Sequence, residues 1–406
     1  MPDATTPFPQ ARTLRVLALV QVVGGIGNGA GLAVGALLVK DVSGSAALAG
    51  TATVMLTLGA AIATMPLVRL AVRSGRRPAL TSGWLVGATG AAVTVLGAEL
   101  DQVVVVLLGL LLFGVSTAAN LQSRFAATDR AAPDQVGRSL SIVVWSTTVG
   151  AVAGPNLTGV GASVADRVGL PDLAGPMLFS AVGFAVAALV TWITLRPEPL
   201  VGSGGDVRVP GVRAALPHLH GTTATAVVAI AASHAVMVAV MALTPVHMED
   251  HGAALRVIGL TISLHIAGMF ALSPVFGWAS DRVGPRPVIV AGQLTLVAAV
   301  AVAGSSGHSE VQITIGLVLL GLGWSASVIA GAALLTTSVD PADRPTVQGV
   351  SDLAMSLAGA SGGLLAGLVV AWSGFGTLAA VAGTLTVPVV LLVLAGRRVT
   401  REIAAG

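Results

Sequence analysis

The sequence predicts an all-α membrane protein, with twelve transmembrane helices in two pseudo-symmetric six-helix bundles. Three observations predict it. The 406 residues are 54% hydrophobic and only 10% charged, where a soluble domain carries about 25% charged residues. The apolar residues gather into twelve runs, each near the roughly 20 residues a spanning helix needs. The second half also repeats landmarks of the first at a fixed offset, Arg73 answering to Arg282 (282 − 73 = 209).

Composition excludes several functions. There are no cysteines, so disulfides, thiolate metal sites and cysteine nucleophiles are ruled out. The pI is near 10.8, but the net charge is only +3 and the arginines are spread over many loops. That spread reads as membrane orientation, not as a nucleic-acid patch. No phosphate-cradling GxxxxGK[ST] sequence occurs, which argues against ATP drive. No nucleophile–base pair or metal constellation suggests an enzyme, and no cofactor is implied.

The apolar runs cover approximately 14–39, 47–68, 79–98, 102–124, 139–164 and 174–195, then 221–247, 256–276, 287–304, 311–337, 346–371 and 375–396. The first continues too long for a signal peptide and reads as an uncleaved helix. With the N-terminus inside, the outer loops hold only Lys40, Arg167 and Arg256, and the other 18 of 21 basic residues fall inside. The positive-inside rule then puts both termini in the cytoplasm of a plasma-membrane protein. A Pro- and Gly-containing break, 197–220, reads as a cytoplasmic linker. It separates an N-terminal bundle, 1–196, from a C-terminal bundle, 221–406.

The offset carries the repeat. Gly75 matches Gly284, Arg77 matches Arg286 and Pro78 matches Pro287; further on, Gly114 matches Gly323 and Asp134 matches Asp343. Two halves in one orientation are related by an axis along the membrane normal, an arrangement in which they enclose a central site and rock about it. The clearest repeated stretch is Gly277-Trp278-Ala279-Ser280-Asp281-Arg282-Val283-Gly284-Pro285-Arg286-Pro287. Its charges cannot lie in hydrocarbon, so it is a tight loop between helices. The first copy, Val68 to Pro78, has Val72 where the second has Asp281, and Val68 where the second has Gly277.

On these residues the chain resembles a major facilitator superfamily transporter over nearly its whole length. The run Gly277, Asp281-Arg282, Gly284 and Arg286 resembles the family's loop motif, with Arg73 and Arg76 in the first copy. Gly150, Gly154-Pro155 and Gly159 are similar to the helix 5 motif of its proton-linked exporters. Thr244-Pro245-Val246-His247-Met248 and His265 to Phe270 resemble a bacterial branch that includes proteins regarded as flavin transporters. The resemblance implies that Asp281 latches against the start of helix 5, near Arg138 and Ser139. With Val72 in the first loop, Asp352, about one turn into helix 11, is expected either to pair with Arg73 or Arg76 instead or to serve only the dipole at that helix's start.

Inside the helices, His234 and His265 sit near the bilayer midplane. Imidazole titrates near neutral pH, so both are candidate proton carriers, or else neutral groups tying helices together. Arg124 could face an anionic substrate or snorkel to the interface, and Asn28 could hydrogen-bond substrate or join helices. His247, Glu249, Asp250 and His251 cluster at the outer end of helix 7 and read as a solvated loop before a metal site. The functional expectation is a secondary transporter of a small organic solute, monomeric in the lipid bilayer, proton-coupled and exporting. The alternatives are an uptake carrier for a vitamin-like solute, or a transport-inactive sensor or scaffold.

Overall fold

A computed structural model describes residues 10–45, 48, 51–200, 212–253 and 255–405. Of the linker expected at 197–220, residues 201–211 lie outside them. Every regular element among the described residues is a helix. In chain order these are α1 (Gln10–Ser43), α2 (Thr51–Ser74), α3 (Arg76–Glu99), α4 (Val103–Ala126), α5 (Val136–Asn156), α6 (Thr158–Arg167), α7 (Gly175–Thr194) and the short α8 (Val212–Ala215). There follow α9 (Gly221–Asp250), α10 (Leu255–Phe270), α11 (Ser273–Val283), α12 (Pro285–Gly304), α13 (Glu310–Thr337), α14 (Arg344–Thr384) and α15 (Thr386–Ala405).

Among the described residues, ten helical stretches are long and apolar enough to cross a membrane. The twelve-run reading differs from that number for two physical reasons. The fifth run, 139–164, breaks at Leu157, just after Pro155, into α5 and α6; proline supplies no N–H to the preceding turn. The last two runs, 346–371 and 375–396, follow each other with only a kink between them and so fall within one apolar stretch, 344–395, which makes two passes. Its reversal is at Gly374, whose φ of 79° is non-helical. Before that residue, Gly359 and Gly362 approach His234 and Ala235 of α9; after it, Gly376 and then Gly383 approach Gly304 and then Val300 of α12.

The chain divides into two compact units: residues 1–132 with 142–212, and residues 133–141 with 213–406. The first unit's core is aromatic at its centre. Trp84, Phe113 and Phe184 are fully buried, with ring centroids 5.6 and 5.0 Å apart around Phe184. Helices approach closely in it: a Cβ on Gly150 would strike the backbone of Gly25, and one on Gly154 that of Gly29 and Ala30. Small residues on both faces allow α5 to lie against α1 at backbone distance. The second unit packs an aliphatic core on α9, α12, α13 and α14, including Val236, Leu296, Leu317 and Leu378.

Candidate functional site

The turn between α11 and α12 places most of the loop residues. Gly284 makes it with φ 89° and ψ 155°, a conformation that costs a residue with a Cβ dearly. One turn earlier, Asp281 accepts hydrogen bonds from the backbone N–H groups of Gly137 (2.7 Å) and Arg138 (2.8 Å). These are the first N–H groups of α5, which have no partner within the helix and point their positive dipole at the carboxylate. Gly277 is what allows the approach, because a Cβ there would strike the carbonyl oxygen of Gly137 and the hydroxyl of Ser141. Arg138 takes part through its backbone; its side chain is exposed. Arg282 is exposed too, and Arg286 donates from Nη2 to the Thr222 hydroxyl at 2.9 Å.

The first-half turn has the same glycine geometry and a different chemistry. Gly75 has φ 97° and ψ 169°. Arg76 is buried and grips Asp129 with two hydrogen bonds, Nε to Oδ2 at 2.9 Å and Nη2 to Oδ1 at 3.1 Å. Glu198, just beyond α7, accepts from the backbone N–H groups of Arg76 and Arg77 (3.1 Å for the latter) at the start of α3. Burial pushes the Glu198 carboxyl up from its ordinary value, against the lowering effect of its backbone donors, and Asp129 adds to the rise. Arg77 lies over the Trp192 ring at 4.6 Å, and Arg130 donates to the Pro199 carbonyl at 3.1 Å. Arg73 is exposed. Asp129 and Glu198 are the acids that reading the loop alone misses; the sequence signal is a single acid between Pro197 and Pro199, directly after an apolar run.

Several interior candidates have defined partners. The Trp324 indole N–H donates to His234 Nδ1 at 3.0 Å, so in the neutral ring the proton sits on Nε2. Phe270 meets Trp324 edge-on at 5.8 Å. His265 is fully buried, with Nδ1 2.8 Å from the Leu317 carbonyl; the neutral ring donates there and ties α10 to α13. Asn28 Oδ1 lies 2.9 Å from the Ser116 hydroxyl, while its Nδ2 is buried with no partner among the described residues. Arg124 is 4% exposed, so it does not snorkel to solvent, and Asp352 is 1% exposed. Gly159 has nothing near it, in contrast to Gly150 and Gly154.

A polar network not singled out from sequence lies in the second unit. Gln293 Nε2 donates to the hydroxyls of Ser233 (2.7 Å) and Ser327 (2.9 Å), bridging α12, α9 and α13. At the other end of α9, His247 stacks on Phe375 at 4.4 Å and touches His251, which in turn touches His308. The side chains of Glu249 and Asp250 lie outside the described set, as does that of Pro155. No group of three metal-ligating side chains arranged for an ion occurs among the described residues.

Repeated helical halves with charged turns at their ends define a class: membrane carriers built from two six-helix repeats. The chain belongs to the Major Facilitator Superfamily, whose profile matches residues 17–252 and 224–404. It is 38% identical to the "Uncharacterized MFS-type transporter YddS" of Bacillus subtilis, covering 94% of this chain and 90% of that one. It is 29% identical to the "Riboflavin transporter RfnT" of Brucella anthropi, over 97% and 96% of the two chains. Among solved structures it resembles the human organic anion transporter MFSD10 (TETRAN) with a TM-score of 0.75 at 18% identity, covering 95% of this chain and all of that one. The last likeness shows the fold alone. The protein is thus a transporter of a small solute and not an enzyme.

Proposed function

We propose that the protein carries a small, flat, vitamin-like solute across the plasma membrane by alternating access, coupled to protons, with both termini in the cytoplasm. The observation that carries this reading is the His234–Trp324 pair, flanked by Phe270. It combines an aromatic surface for a ring system with an imidazole, the side chain that titrates nearest neutral pH. The riboflavin-transporting relative supports the solute class. Asp281 on the start of α5 serves as the latch that one access state makes and the other breaks. The first-half turn is held within its own unit instead, by Asp129 on Arg76 and Glu198 on the start of α3. Arg124 and Asn28 contribute polar contacts to the solute path.

A second reading, export, is favoured by the helix 5 motif from Gly150 to Gly159. The close packing of Gly150 and Gly154 on α1 accounts for those two glycines without reference to direction.

Flux of riboflavin into proteoliposomes, with a pH gradient of either polarity, tests both readings. Gradient-stimulated flux that falls at least about tenfold in His234→Gln is expected. Flux indifferent to the gradient removes proton coupling, and the polarity that accelerates uptake fixes direction. Absence of riboflavin flux, in liposomes where the protein is folded, removes the flavin-like solute.

A further inference from the structure

A second polar site lies away from the residues assigned to transport. A cavity of 290 Å³ opens beside the start of α9, the end of α13 and the start of α14. This is the end of those helices that the arginine bias assigns to the cytoplasm, so it lies level with lipid headgroups. The residues that matter in its wall are Arg344, His220, Asp340, Thr223, Thr337 and Ser338.

The wall carries both hydrogen-bond donors and acceptors. Arg344 is half-buried and anchored by its Nε–H, which donates to the Val339 carbonyl at 3.0 Å. A guanidinium has five N–H donors; the four on its terminal nitrogens have no partner among the described residues. His220 adds an imidazole beside it. The hydroxyls offer the opposite. Ser338 donates its hydrogen to the Leu335 carbonyl (3.1 Å), and Thr337 donates to Ala333 (2.9 Å). Thr223 and Ser338 share a hydrogen bond of 3.2 Å. A hydroxyl oxygen keeps lone pairs beyond its single hydrogen, so all three can accept from a ligand. The Asp340 carboxylate stands with them. The other nearby acid, Asp343, faces His218 at 3.7 Å.

One cavity therefore holds unused cationic donors together with hydroxyl acceptors and a carboxylate. A simple anion would leave Asp340 repelling it, and a simple cation would leave Arg344 doing so. We propose that the cavity binds a zwitterion of the phosphoethanolamine kind, its phosphate on Arg344 and His220 and its ammonium on Asp340 and the hydroxyl oxygens. Two sources share this chemistry: the headgroup of phosphatidylethanolamine in the inner leaflet, and a soluble phosphoethanolamine. Neither Arg344 nor Asp340 is among the residues proposed for the solute path or the latch.

The test uses the full chain in nanodiscs of phosphatidylcholine, alone or mixed with phosphatidylethanolamine or phosphatidylglycerol, and in detergent titrated with soluble phosphoethanolamine. The thermal midpoint is the readout. Phosphatidylethanolamine is expected to raise it above the phosphatidylcholine value, and the increment should vanish in both Arg344→Gln and Asp340→Asn. A rise with soluble phosphoethanolamine, its half-saturating concentration increased about tenfold by either substitution, supports the site with a soluble occupant. Asp340 is exposed, so its variant carries the test if Arg344→Gln does not fold. A rise with phosphatidylglycerol equal to that with phosphatidylethanolamine and untouched by Asp340→Asn overturns the zwitterion in favour of a plain anion. Equal midpoints in all lipids, with no response to the soluble compound, overturn the site.

Discussion

The turns α2–α3 and α11–α12 share a backbone and differ in where their acids lie. Gly75 and Gly284 have nearly the same φ and ψ, so the repeat preserved the bend itself. In the second turn the acid is local: Asp281 sits on α11 and binds the N-terminus of α5. In the first turn Val72 takes that place, and the acids come from elsewhere. Asp129 follows α4 and holds Arg76; Glu198 follows α7 and caps α3. The second turn's carboxylate reaches out to a helix start distant in sequence. The first turn's carboxylates gather α3, α4 and α7 of one unit about a buried arginine. One backbone thus supports a carboxylate contact to a sequence-distant helix start in one half and an internal staple in the other.

The largest effect should come from the staple. Asp129→Asn leaves the Arg76 charge buried with less compensation, and breaking a buried pair by removing one partner costs about 3–5 kcal/mol. A lowered thermal midpoint with little change in access-state balance is expected. The next effect belongs to the latch. Asp281→Ala deprives two helix N–H groups of an anionic acceptor, worth about 1–2 kcal/mol, or roughly a tenfold shift between states. The native chain has no cysteine, so Ser139→Cys, 2% exposed, reports that shift as faster thiol labelling. Similar labelling rates with and without Asp281 would erase the contrast between the turns.

Glu198→Ala should cost about 1 kcal/mol by uncapping α3. Glu198→Gln should be neutral or slightly stabilising at pH 7, since burial already disfavours the charge. The smallest effect is in pH. A carboxyl raised above its ordinary value of 4.5 holds its proton longer when docked than when solvated. Falling pH through that window favours the docked arrangement, and rising pH withdraws the preference. The midpoint of the parent should drop relative to Glu198→Gln as pH rises from about 4.5, and parallel pH curves would count against it.

How much of this was legible in advance depends on range. Apolar runs and charge bias are local signals, and they carried the helices and the two halves. The glycine turns were legible because positive φ restricts the residue that can occupy them. Gly277 and Asp281 could be read because a motif holds both in one stretch. Asp129 and Glu198 could not, because each acts on Arg76 or Arg77 from 53 or 121 residues away in sequence, and no period links them. The Gln293 network has the same cause: Ser233, Gln293 and Ser327 each read singly as a tolerated polar residue in an apolar run. The split of the fifth run follows Pro155, and the reversal at Gly374 falls in the gap between the runs 346–371 and 375–396. A single glycine can turn a chain around without a polar loop to announce it.

That turn at Gly374 bears on how the protein is made. Between Arg344 and Arg397 the only charged residue is Asp352, so nothing at the bend marks which side of the bilayer it should occupy. The two final passes must then enter the membrane together, as one hairpin positioned by the arginines at its two ends. A ribosome-bound intermediate that has released only the first of these passes lacks its second anchor. Moving or removing Arg397 and Arg398 would therefore be expected to misplace both passes at once, a fault of assembly arising far from any solute.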